Sequence, residues 1–111
     1  MTTEHRPAEE ILFKALTPLG FWVHVTKRYW LLIVNIKHPV MLGQEATVKQ
    51  VLEDPEEIRL SRSDPNVYLF YKTERPRRWV CAVTKHENDE GFLITAYPPD
   101  AIKEGPRIWP K

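Results

Sequence analysis

His38-Pro39 closes the apolar run from Tyr29 to Ile36, and the histidine is the side chain of this chain best placed to do chemistry. Proline disfavours helical geometry at the residue before it. A helix starting near Lys27 should therefore stop at His38 and leave the imidazole at a helix C-terminus. Such a position favours the charged imidazole, and a histidine working near neutral pH can both take and give a proton. Downstream, Arg59, Ser61, Arg62, Lys85, Thr95 and Tyr97 fall in a strand-rich half. One histidine opposite a basic, hydroxyl-bearing sheet is the equipment of metal-independent RNA cleavage. It is equally the ordinary surface of a small α+β domain.

The elements that must position these groups can be read from periodicity. Residues 1–20 read as an N-terminal arm, in which Ile11 to Leu16 is too short to assign and Pro18-Leu19-Gly20 marks a turn. Residues 21–111 read as a single domain. Phe21 to Thr26 alternates and predicts a short strand, and Thr26 can cap a helix over 27–37. Trp30, Ile33, Val34 and Lys37 share one face of that helix. Gln44 to Glu53 predicts a second helix, with Val48, Val51 and Leu52 inward and Asp54-Pro55 ending it. Four strands follow, over 58–63, 67–73, 78–85 and 92–97. They are separated by Asp64-Pro65-Asn66, the charged Glu74-Arg75-Pro76-Arg77 loop and a turn over 86–91. The tail predicts one helical turn over 101–104, with Trp109 packing back. The expected fold class is α+β: two N-terminal helices on one face of a four-stranded antiparallel meander sheet, with an extra short N-terminal strand.

Composition narrows the options. A chain of 111 residues allows one domain with a workable core. No apolar run approaches the roughly 20 residues that span a bilayer, and the N-terminus has no apolar signal-peptide core, so no membrane partner is expected. Cys81 is the only cysteine, which excludes an internal disulfide and suits a cytoplasmic setting. Residues 1–58 carry six Lys/Arg against eight Asp/Glu, and residues 59–111 carry ten against seven. The positive half is the strand-rich half, so RNA would need a local cluster rather than overall charge. The four histidines and Cys81 show no zinc spacing, and no glycine-rich phosphate loop occurs. No metal and no other cofactor is expected.

Several short motifs then fall into one order. They are Lys37-His38-Pro39, Asp54-Pro55-Glu56-Glu57-Ile58-Arg59, Ser61-Arg62-Ser63-Asp64, Val67-Tyr68-Leu69-Phe70-Tyr71 and Ile94-Thr95-Ala96-Tyr97-Pro98, before Ile108-Trp109. The stretch from Trp30 to Trp109 resembles a family of small bacterial proteins common in cyanobacteria. That family is similar to the nuclease group of barnase, EndoU, colicins and RelE-like toxins. The resemblance implies metal-independent RNA cleavage and a toxin role. It also implies RNA, free or ribosome-bound, and a small antitoxin encoded nearby as partners. By motif position it carries over His38, Arg59, Ser61, Thr95 and Tyr97, with Lys85 added from its strand-end position.

In such cleavage the 2′-hydroxyl attacks the adjacent phosphorus and leaves a 2′,3′-cyclic phosphate and a 5′-hydroxyl. A base removes the 2′ proton, an acid protonates the leaving oxygen, and cations stabilise the oxyanion. His38 takes the acid or base role. Arg59 or Arg62 grips phosphate oxygens through its planar fork. Lys85 adds charge, Thr95 and Tyr97 orient the phosphate, and Tyr68 or Tyr71 stacks a base. Strand parity puts Arg59 with Ser61 and Thr95 with Tyr97, and sets Arg62 on the opposite side from Arg59. Arg75, Arg77 and Arg78 form a basic loop, either solvated or touching phosphate. The alternative function is a non-catalytic RNA-binding or protein-interaction module of the same fold. It needs the arginines and aromatics but not His38.

Overall fold

Short runs rich in β-branched and aromatic residues recur along this chain, and the sheet they build is larger than the meander alone. The computed structural model describes residues 10–102 and 105–110. Its strands are β1 (Ile11–Leu16), β2 (Trp22–Thr26), β3 (Glu57–Leu60), β4 (Val67–Arg75), β5 (Arg78–Glu87), β6 (Glu90–Tyr97) and β7 (Arg107–Trp109). They form one sheet in the order β1-β2-β6-β5-β4-β3-β7. Neighbours are antiparallel except β2 and β6, which run parallel. Between β2 and β3 lie α1 (Lys27–Leu32), continued by a π-helical turn (Ile33–Lys37), a 3-10 turn (Pro39–Met41) and α2 (Glu45–Glu53).

This corrects the expected fold class. The sheet is seven-stranded and mixed, not a four-stranded antiparallel meander under two helices. The meander β3 to β6 is present as its centre. The β1–β2 hairpin extends it past β6, and β7 extends it past β3. Periodicity marks a strand but not its partner, so the parallel β2–β6 junction had no signature in the sequence. The last turn of helix expected over 101–104 is not helical at Ala101 and Ile102, and 103–104 lie outside the described residues. Much of the expected arm, 1–9, also lies outside them.

Local chemistry explains the helix ends. Thr26 Oγ1 accepts from the Tyr29 amide at 3.1 Å, a side-chain N-cap. The His38 amide donates to Ile33 O at 2.7 Å, and His38 itself leaves helical geometry (φ −144°, ψ 80°) ahead of Pro39. The helices bury Trp30, Ile33, Val34, Met41, Val48, Val51 and Leu52 against one sheet face. That face supplies Val23, Val25, Ile58, Phe70, Ala82, Leu93 and Ala96.

The β2–β6 junction rests on two registered pairs, Val23 with Gly91 and His24 with Phe92. A Cβ on Gly91 would run into the Trp22 carbonyl oxygen and press on the Phe21 ring. Gly91→Ala is expected to destabilise the chain by about 1–3 kcal/mol through overpacking. Hydrogen exchange should show protection falling first in β1 and β2, while β4 and β5 keep theirs. Uniform protection in the variant would contradict this account.

Beyond Tyr97 the chain must reach β7 on the far side of β3. It does so across the sheet face opposite the helices. The Trp79 amide donates to Pro99 O at 3.2 Å. Ile102 packs on Leu69, Tyr71 and Cys81. The Leu60 amide donates to Pro106 O at 3.0 Å. The strap returns Ile108 and Trp109 to the main core, where Trp109 was expected to pack.

Candidate functional site

Register across the central strands decides which side chains meet. One row aligns Glu57, Tyr71, Cys81 and Tyr97, and the next aligns Arg59, Leu69, Val83 and Thr95. A third aligns Val67, Lys85 and Phe92. Directly opposed residues point to the same side of a sheet. Arg59, Lys85, Thr95, Tyr97 and Tyr71 therefore share the face opposite the helices. Sharing a face is not adjacency, because Arg59 and Thr95 are three strand spacings, about 14 Å, apart.

His38 joins this face from the helix side. The π-helical turn runs beside β6, where Tyr29 Oη and Lys37 Nζ donate to the Ile94 carbonyl at 2.8 and 3.1 Å. The chain then places the His38 ring on Tyr97, with centroids 5.4 Å apart and planes 27° from parallel. Behind Tyr97 lies Tyr71, only 1% exposed and hydrogen-bonded with Tyr97 and Cys81. Thr95 is two residues from Tyr97 on the same strand face, and its buried Oγ1 has no hydrogen-bond partner among the described residues.

Burial, and then the neighbouring Cys81 and Tyr97, push the Tyr71 phenol well above the ordinary tyrosine range. A raised folded-state value means that its contribution to stability is intact below pH 10 and is lost as pH climbs further, because only the unfolded chain ionises there. Tyr71→Phe should accordingly flatten the fall of stability with pH on the alkaline side. Denaturant midpoints measured from neutral pH into the alkaline range check this. Parallel curves for variant and parent would refute it.

The cations expected to hold phosphate are otherwise engaged. Arg59 Nε donates to Glu57 Oε2 at 2.6 Å and its Nη1 to Gly105 O at 3.0 Å, so this arginine anchors the strap. Lys85 pairs with Asp64 at 3.4 Å. The Asp64 carboxyl is held below its ordinary value by the Asn66 amide and, less strongly, by Lys85. Ser61 falls just beyond β3, where its hydroxyl meets that of Ser63 at 3.2 Å, and Arg62 is exposed in the same turn. Tyr68 lies on the helix-side face, 5.3 Å from the Phe21 ring, and Tyr71 is sealed from solvent.

Two features were not anticipated. The hydrogen-bonded group of Tyr71, Cys81 and Tyr97 is set by cross-strand register, which parity within each strand does not give. The other is a cleft of about 200 Å³. It opens between the 3-10 turn and the tip of the β4–β5 hairpin, lined by Val40, Gln44, Glu74, Arg75, Arg78 and Pro98. Among the described residues no group of His, Cys, Asp or Glu is arranged to hold a metal ion. No helix among them is long and apolar enough to cross a membrane. Comparison with protein-family models, with curated proteins and with solved structures gives no match.

Proposed function

We propose that this chain is a metal-independent endoribonuclease, the toxin of a toxin–antitoxin pair, with His38 as its acid–base group. The observation that carries the reading is the stacking of His38 on Tyr97, beside Thr95. The ring contact fixes the imidazole at the end of a helix and beside the last residue of β6, where a strand of RNA can pass. Tyr97 acts as a platform, steadied from behind by Tyr71. Thr95 lies on the same face, but its buried Oγ1 is closed to a phosphate, so the phosphate contact expected of it is not part of this reading.

A second reading has its own support. Arg59 and Lys85 are matched by Glu57 and Asp64, which leaves the central sheet short of unpaired positive charge. Of the non-catalytic alternatives, that favours a protein-interaction module over an RNA-binding one. The test is incubation of the purified chain with total RNA and with translating ribosomes, in the presence of chelator. Cleavage leaving 2′,3′-cyclic phosphate ends is the expected result. Intact RNA in both formats, from folded protein, would replace the nuclease with the binding module.

A further inference from the structure

The β4–β5 hairpin ends in Arg75-Pro76-Arg77-Arg78, with Arg75 and Arg78 registered across from each other. Three guanidinium groups are thus gathered within four residues, although like charges side by side repel. The turn has a further oddity. Arg77 sits at φ +62°, a conformation that turns normally give to glycine or asparagine. Backbone outliers of this sort accumulate at functional positions. No side-chain hydrogen bond or ion pair to Arg75, Arg77 or Arg78 occurs among the described residues. Arg59, Lys72 and Lys85, by contrast, each have an acidic partner.

Arg75 and Arg78 line the cleft described above, with Glu74 as the one acid in its wall. The cleft's other wall begins two residues after His38, at Val40, and one residue after Tyr97, at Pro98. Val40 is 64% exposed and gives an apolar patch beside the guanidinium groups, suited to a sugar or base edge. Along β5, Arg78 is three residues from Cys81, the registered partner of Tyr97, and so falls on the helix-side face with Val80. Three residues of strand are roughly 10 Å. The arginines therefore open on the helix side of the sheet, and a strand of RNA reaching from them to His38 and Tyr97 would round the end of β6 past Pro98.

We propose that the cleft between the hairpin tip and the 3-10 turn binds a phosphate of single-stranded RNA neighbouring the scissile one. The proposal rests on the RNA reading of the His38 site and gives that site the positive charge its central sheet lacks. Two planar guanidinium groups converging on one cleft suit a phosphodiester, which offers two unesterified oxygens to paired donors.

The test is fluorescence anisotropy of a labelled oligouridylate titrated with the parent chain, Arg75→Gln/Arg78→Gln and the equal-charge control Lys14→Gln/Arg28→Gln, over a range of salt. The double variant in the cleft should bind about tenfold more weakly, with a salt slope shallower by about 0.7 for each phosphate left without its cation. The control should stay close to the parent in both. If the double variant does not fold, the exposed Arg75→Gln alone decides, with about a threefold loss expected. A cleft variant that matches the control while the parent binds RNA overturns the cleft and leaves the nuclease standing. A parent chain with no affinity for RNA overturns both.

Discussion

His38→Ala is expected to lower RNA cleavage by about 10²–10⁴-fold, the range typical of losing a positioned proton-transfer group. The cost in stability should be small. The ring is half-buried and its one aromatic contact among the described residues is Tyr97, a pairing of about 0.5–1.5 kcal/mol. Activity and stability therefore separate in this variant, which a structural histidine would not allow. Initial rates of cyclic-phosphate formation, with denaturant midpoints measured on the same samples, give both numbers. Tyr97→Phe should behave differently. It keeps the ring under His38 and loses only the hydroxyl bonded with Tyr71, so cleavage should fall far less. Equal rates for parent and His38→Ala would remove the histidine from the mechanism, whatever Tyr97→Phe does.

What the sequence disclosed follows a physical division between local and non-local information. The strands β4, β5 and β6 were legible because each is rich in β-branched and aromatic residues and is bounded by turn residues. Thr26, His38-Pro39 and Asp54-Pro55 likewise marked helix ends through interactions within a few residues. β1 and β7 are short edge strands whose existence depends on a partner, and no local pattern announces a partner. The site divides in the same way. Parity within a strand correctly grouped Thr95 with Tyr97, yet only cross-strand register set Arg59 and Lys85 on their face. The Glu57–Arg59 pair was within reach, since opposite charges two residues apart on a strand share a side. The second partner of Arg59, Gly105 O, is 46 residues away and belongs to the strap. The strap also explains Tyr71. An aromatic on an open sheet face invites a stacking role, and here a returning segment covers it.

Gly105→Ala should be the most damaging single methyl in the chain. Gly105 has φ +70°, which costs an L-residue roughly 1–2 kcal/mol. Its added Cβ would also point into the Leu60 backbone carbonyl, which cannot swing aside as a flexible side chain could. Overpacking adds about 1–3 kcal/mol, so a total loss of roughly 2–5 kcal/mol is expected. The damage should begin locally. Gly105 O is a partner of Arg59, and the Leu60–Pro106 hydrogen bond is next to it, so displacing this residue loosens the strap where it meets β3. Ile102 would then lift from Leu69, Tyr71 and Cys81. Cys81 is fully buried in the parent, which makes its thiol a reporter of that event. A thiol reagent should modify Cys81 much faster in Gly105→Ala than in the parent under native conditions, with urea unfolding showing the lower midpoint. Because Tyr71 steadies Tyr97, and Tyr97 carries His38, the same variant should slow cleavage even where the chain stays folded. Unchanged thiol reactivity together with an unchanged midpoint would mean that the strap does not hold this face closed.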